Sequence, residues 1–501
     1  MNVKGTKMLD HLKAVCAGVL LALLAGCNGG DGGDAAGAPD PTPDSPAATG
    51  LALTGVAATG AALDGARVTV RGPDGQILDL GDVVTGTDGS YQVDLPADTP
   101  LPLLVIVQPP DGDPVRTVIP AVADGSSAIV ANVNPMTELV TGELIGAPSD
   151  DPASVATALA PVANDPTVVE STGDEVVQAL FGNDIAYSAF ADDPGFAAAG
   201  GDGTPTVADT LLDTLADAAA DDDKTLTTFL AEQRALPEPP KLLEQPAFQV
   251  KLVGQLVAKG NAAEDIESTL QAAGALAPLA EGQTTDVFRA AIQAVPAVIA
   301  QANAATGSLD GNPVLKAAAA KAAVDTLAKL VTDRATRFGD SPATLAAALG
   351  SEGLRSTVAT VVTNVVTPVL EQVAARDDGG SGVATAVDSV LRTTAKAAGT
   401  TLSAFSTSQI ESTDVSNLAT AHLQQNVVDP NLVDQLDAIE DGTATTTDLV
   451  QADDDVSDTT DALRVLVTSD PGLVEGGDVD TVLDDPPGAW NVDNWNQFDW
   501  S

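Results

Sequence analysis

The chain has 501 residues, and its 22 lysines and arginines against 71 aspartates and glutamates give a formal net charge of −49. Such an acidic chain is repelled by the phosphates of nucleic acids and by anionic lipids, which excludes both as partners of its surface. The length allows about two to four domains. Hydrophobic residues make up 44% of the chain and aromatic residues only 3%, which predicts cores of aliphatic side chains. The dispersed carboxylates leave two explanations open: general adaptation to salt, which we favour, and binding of calcium or another cation.

Residues 1–26 have the order of a secretory signal peptide, with three lysines ahead of an apolar run at 14–24. The run is shorter than the roughly 20 residues that a membrane-spanning helix needs. It ends in the segment Leu24–Cys27, with the letters LAGC, which resembles a bacterial lipobox. The resemblance implies cleavage before Cys27, diacylglycerol on the Cys27 thiol and acylation of the new amine. The alternative is an ordinary cleaved signal with a cysteine at this place by chance.

The segment 27–50 consists almost entirely of Gly, Ala, Asp, Pro, Ser and Thr, which predicts a disordered, flexible tether. Asn28 follows Cys27, and by resemblance to the sorting of bacterial lipoproteins this favours the outer membrane of a Gram-negative bacterium. The predicted location is therefore the cell envelope, with the membrane as a partner through the lipid anchor.

Cysteine and histidine are almost absent from the rest of the chain. Cys16 and His11 leave with the predicted signal peptide, and Cys27 would carry lipid. No thiol then remains for a disulfide, a metal ion or catalysis, and His422 alone cannot form a zinc site of several histidines. We interpret His422 as a surface or capping residue at a helix end, and we predict no cofactor and no catalytic residue.

Residues 51–135 alternate short β-rich runs with turn clusters such as Pro73–Gly75 and Thr87–Gly89. The alternation of apolar and polar residues within the runs predicts half-buried strands. About seven strands of this length suit a small antiparallel β-sandwich. The predicted strands are Leu51–Ala57, Ala66–Arg71, Gln76–Thr85, Ser90–Leu95, Leu101–Gln108, Val115–Ile119 and Ala128–Val133.

The order of Gly55, the segment Ala66–Val70, Thr85 and the segment Thr87–Val93 resembles a carboxypeptidase regulatory-like domain, which has a transthyretin-like sandwich. In this pattern an Asp-Gly pair supplies the turn, and an aromatic residue, here Tyr91, packs across the centre of the sheet. The resemblance covers about a sixth of the chain. It implies a stalk, an accessory module or a binding platform without catalytic residues.

The segment Asn132–Leu139 resembles the exit from strand to helix in bacterial surface lipoproteins. An ordinary helix start capped by Asn134 explains the same residues equally well.

Residues 136–425 are predicted to form an irregular α-helical domain rich in alanine. Pairs of a capping residue and a proline, such as Asp151-Pro152 and Ser341-Pro342, mark helix starts. The aromatic residues within 181–196 are interpreted as a local core, with a binding loop as the alternative.

The tail at 426–501 is acidic and of low complexity, which predicts solvated, disordered chain. Asp478 and Asp480 are weak candidates for a calcium site, because they lack the spacing of an EF-hand loop. An aromatic strip follows, which either binds a ligand such as a sugar or, as we favour, docks on the protein itself. The strip consists of Trp490, Trp495, Phe498 and Trp500.

These observations predict an α+β multidomain protein in which a small antiparallel β-sandwich precedes a larger irregular α-helical domain. The hypothesis for function is a lipid-anchored envelope protein that binds or scaffolds at the cell surface and is not an enzyme. An envelope protein or a polysaccharide is the expected partner. The alternatives are a carboxylate-based, glycosidase-like hydrolase and a calcium-dependent adhesion module.

Overall fold

The computed structural model describes residues 51–426 apart from 97, 122–127, 183, 199–204, 223, 282, 306, 308–312, 338, 376–380 and 411–412. A β region of two small sheets comes first and a larger helical region follows, which confirms the predicted α+β class. The predictions for the signal peptide, the tether and the acidic tail concern residues outside the described ones. By its contacts the chain divides into two compact units, one ending at Pro240 and the other beginning at Lys241.

The β region has seven strands among its described residues. One sheet has the order β4-β1-β7, the other has the order β3-β2-β5-β6, and inward-facing side chains of both sheets form one hydrophobic core. The strands are β1 (Leu51–Val56), β2 (Arg67–Arg71), β3 (Val83–Val84), β4 (Ser90–Leu95), β5 (Leu103–Gln108), β6 (Val115–Ile119) and β7 (Ala128–Val130).

Two details of the predicted sandwich are wrong. Strand β7 pairs with β1 in parallel, so the region is not wholly antiparallel. The two strands are not joined by a hairpin, and nothing in their connection forces an antiparallel arrangement. The long strand predicted at Gln76–Thr85 shrinks to the two residues of β3, because Gly81, with φ of 75°, turns the chain in the middle of the run.

The turn before β4 and the centre of the sheet follow the sequence pattern. Gly89 has φ of 77°, and the side-chain hydroxyl and backbone N–H of Ser90 bond the Asp88 carboxylate and hold the pKa of Asp88 below its ordinary value. Tyr91 lies in the core, and its hydroxyl donates to the carbonyl of Ala131 at 2.5 Å. Gly55 leaves room for this side chain, since a Cβ there would lie 3.0 Å from the Tyr91 oxygen.

The first unit continues beyond residue 135, where the sequence analysis ended its β domain, because helix α1 packs onto the edge strand β6. Asn134 caps α1, accepting bonds from Met136 and Thr137 N–H groups, as the sequence predicted for a capped helix start. The helices of this unit are α1 (Pro135–Ile145), α2 (Pro152–Asn164), α3 (Thr167–Phe181), α4 (Ser188–Ala191), α5 (Val207–Asp221) and α6 (Leu226–Ala235).

All regular secondary structure among the described residues of the second unit is helical. Its long helix α10 packs closely against two neighbours, where Gly254 of α7 meets Val324 and Gly399 of α13 meets the backbone of Thr326. Among the described helices, none is both long and apolar enough to cross a membrane. The helices are α7 (Pro246–Ala258), α8 (Ala263–Ala272), α9 (Val287–Ala305), α10 (Pro313–Thr336), α11 (Pro342–Gly350), α12 (Glu352–Ala375), α13 (Ser381–Ser403), α14 (Thr407–Ile410) and α15 (Thr413–Asn426).

Candidate binding site

A groove of about 440 Å³ lies on the outer face of the β4-β1-β7 sheet. It crosses all three strands and is completed by a residue of β3 and by two residues outside the strands. The described residues that line it carry no formal charge, although the whole chain has a net charge of −49. They are Thr54, Gly55, Val56, Val84, Ser90, Tyr91, Gln92, Val130, Asn132 and Pro194.

The alternation of side chains along the strands produces this face. Thr54 lies opposite Gln92 in β4 and opposite Val130 in β7, while Val56 lies opposite Ser90. Because successive side chains point to opposite faces of a sheet, these five share the outer face. Tyr91, which lies between Ser90 and Gln92, points inward to the core and borders the floor of the groove. The outer face therefore offers hydroxyl and amide groups beside small apolar side chains.

A buried asparagine fixes the side of the groove that lies near Pro194. The Oδ1 atom of Asn132 accepts a bond from the Val56 N–H at 3.1 Å, and its Nδ2 donates to the Asp193 carbonyl at 2.9 Å. Its own backbone N–H donates to the Ala191 carbonyl at 2.7 Å. Asn132 thus holds the turn after α4 against strand β1, and the groove is a preformed feature of the first unit.

A smaller depression, of about 260 Å³, lies between the ends of β6 and β7. Asp192 is the one acidic residue among the described residues that line it. Burial, with a further contribution from the charge of Glu170, raises the pKa of Asp192. A glycosidase mechanism needs two carboxyl groups about 5–10 Å apart, and the described lining of this depression supplies one.

The predicted functional residues fall mostly outside the described residues, so their roles stay predictions. This holds for Cys27, for Asp478 and Asp480, and for the aromatic strip from Trp490 to Trp500. His422 lies in the last turns of α15. In the part of the chain that the structure describes, no three His, Cys, Asp or Glu residues are grouped as a metal site requires.

The aromatic cluster at 181–196 forms a local core, which was the favoured interpretation. Phe181 and Phe190 stack with ring centroids 6.1 Å apart, and Tyr187 and Phe196 are buried as well. Burial, together with the charge of Asp192, raises the pKa of Tyr187. These rings therefore support the first unit from inside and do not present a binding loop.

Neither the groove nor the role of Asn132 was evident from the sequence. The groove combines residues from strands far apart in the chain, and no local pattern reports such neighbours. For Asn132, the available signal was a polar residue near the end of a strand and two positions before a helix cap. Comparisons with protein-family models, with curated proteins and with solved structures give no match for this chain.

Proposed function

We propose that the protein is a lipoprotein of the cell envelope, anchored through lipid on Cys27, most simply in the outer membrane of a Gram-negative bacterium. The proposal is supported by the order of features at the N-terminus: a signal-like segment, the lipobox resemblance at Leu24–Cys27, and a polar segment that ends where β1 begins at Leu51. The polar segment would hold the folded units away from the lipid surface.

The role proposed for the folded part is binding or scaffolding at the cell surface, without catalysis. The resemblance of residues 51–135 to a carboxypeptidase regulatory-like β-sandwich supports this role, since such domains serve as stalks and binding platforms. The uncharged groove is the surface that suits an uncharged partner, such as a neutral polysaccharide or a polar patch of an envelope protein. The acidity of the chain is proposed to be a general adaptation to salt.

The anchor is tested by mass and by fractionation. The intact mass of the membrane-extracted protein should match residues 27–501 plus a diacylglyceryl group and an acyl chain. Cys27→Ser should move the protein from the membrane fraction to the soluble fraction, because the thiol that carries the lipid is lost. Cys16→Ser is the matched control and should leave the fractionation unchanged.

Retention of Cys27→Ser in the membrane fraction to the same extent as the wild type would contradict the lipid anchor.

The non-catalytic role is tested separately, by incubating the purified protein with peptide, ester and glycan substrates. Turnover that follows the protein through purification would contradict that role. Calorimetry with calcium at high salt separates a saturable cation site from general acidity.

A further inference from the structure

The uncharged groove needs an occupant that tolerates an acidic surrounding and supplies apolar surface. Its lining includes four apolar side chains that are not buried: Val56, Val84, Val130 and Pro194. Val84 is 59% exposed, and among the described residues only Ile77 and Leu236 are other large apolar side chains with high exposure. Exposed apolar side chains that cluster in a depression mark a contact surface more often than scattered ones do.

We propose that this groove binds the aromatic C-terminal segment Trp490–Trp500 of the same chain. The inference goes beyond the proposed function, because the segment would occupy the groove until an outside partner displaces it, and it does not depend on the lipid anchor. The segment holds all three tryptophans of the chain. Tryptophan and phenylalanine rings each bury about 150–250 Å² when they dock, so apolar contact favours the bound form.

The charge of the segment is compatible with the lining of the groove. The segment carries two aspartates, Asp493 and Asp499, and no basic residue. An acidic peptide is repelled by a surface crowded with carboxylates, whereas the groove lining is uncharged. The asparagines and the glutamine of the segment can exchange hydrogen bonds with Thr54, Ser90 and Gln92 on the sheet face.

The length of chain permits the contact. Residues 427–489 lie between the end of α15 at Asn426 and Trp490. Fully extended, these 63 residues span at most about 210–230 Å. A compact unit the size of residues 51–240 has a radius of gyration of about 16 Å. The segment can therefore reach the groove, and the covalent link raises its effective concentration there.

Tryptophan fluorescence of the purified full chain tests the proposal, because every tryptophan lies in the segment. Acrylamide quenching is compared with that of a synthetic peptide of residues 490–501. Docking should lower the quenching constant at least about twofold, since an equilibrium that favours the bound form leaves less than half of the segments exposed. Val84→Glu should return the constant to the peptide value, because it places a charge against the aspartates of the segment.

Ile77→Glu is the matched control, since Ile77 is 58% exposed and lies outside the groove lining, and it should keep the wild-type constant. Pro194 is an exposed residue of the same lining, so Pro194→Glu should raise the quenching constant as Val84→Glu does. Circular dichroism checks that each variant is folded. A wild-type constant equal to that of the peptide would overturn the proposal, as would equal effects of the groove and control variants. Protection that disappears on dilution would assign the groove to a second copy's tail and overturn it too.

Discussion

The ion pair between Arg116 of β6 and Glu138 of α1 should be a main attachment of the helices to the sheet. The Arg116 Nη2 atom lies 2.6 Å from Glu138 Oε1, its Nε bonds both carboxylate oxygens, and the two side chains are 3% and 14% exposed. Nη1 of Arg116 donates to the Gly146 carbonyl at 3.1 Å. Glu138→Gln keeps the shape but leaves the guanidinium charge buried without a counter-charge, which costs about 3 kcal/mol or more.

The same helix supplies the control. Glu143 pairs with Arg234 at 2.7 Å, but both side chains are 31% exposed. Such a pair contributes below about 1 kcal/mol, so Glu143→Gln should change stability little. For a unit of this size, about 3 kcal/mol corresponds to a loss of roughly 6–12 °C in melting temperature.

Tyrosine absorbance during urea or thermal unfolding isolates the relevant transition, because the two tyrosines of the chain, Tyr91 and Tyr187, are both buried in the first unit. The denaturant slope should stay constant if only stability changes. Equal losses for Glu138→Gln and Glu143→Gln would refute the reasoning that burial decides the strength of the pair.

Two further predictions concern helix packing and helix capping. Gly399→Ala should destabilise the second unit by about 1–3 kcal/mol in urea unfolding, because its Cβ would lie 2.6 Å from the Thr326 carbonyl oxygen. Gly350→Ala, with no atom within 4 Å, should be neutral or stabilising; the reverse order would contradict the close approach of α10 and α13. Hydrogen bonds from the Ser154 hydroxyl and N–H lower the pKa of Asp151 in the folded protein. The stability that this cap contributes is therefore complete above the pKa of the unfolded chain, about 3.8, and is lost as the pH falls through the lower pKa of the folded protein. Asp151→Asn should keep the cap and weaken the acid dependence of the unfolding midpoint; an unchanged acid dependence would exclude this carboxylate as its source.

Local signals in the sequence were sufficient for the elements whose geometry is set within a few residues. Helices α2 and α11 begin at Pro152 and Pro342, each behind the predicted cap, because the cap bond and the proline φ are properties of adjacent residues. Strand β4 alternates between exposed and buried residues as its letters predicted.

Features that depend on distant partners were beyond the sequence. The parallel pairing of β7 with β1 joins residues more than 70 positions apart, and the short β3 follows Gly81, whose left-handed backbone interrupts the predicted strand. The packing of α1 on β6 also depends on contacts such as Arg116–Glu138, whose residues are 22 positions apart. The groove likewise exists only after three strands have paired.

The placement of the scarce basic residues bears on the acidity of the chain. Five of them are buried in the described part, and each has a carboxylate partner within 4 Å. These residues are Arg71, Arg116, Lys251, Arg289 and Arg334. Arg116, Lys251 and Arg334 pair with carboxylates that are themselves largely buried, so these three cations do not neutralise the outer surface.

Helix α10 extends the same arrangement along one stripe. Charged residues recur every four positions along α10 and at the position that follows its end: Lys321, Asp325, Lys329, Asp333 and Arg337. The distances between their charged atoms are 2.7 Å for Lys321–Asp325, 3.1 Å for Lys329–Asp333 and 3.9 Å for Asp333–Arg337. The two aspartates are almost fully buried. In salt of about 0.1 M, interactions between exposed charges more than about 10 Å apart are largely screened, and higher salt shortens this distance. Buried pairs are screened much less. Concentrated salt would therefore relieve the repulsion among surface carboxylates and leave the buried pairs nearly intact, as the proposed adaptation to salt requires.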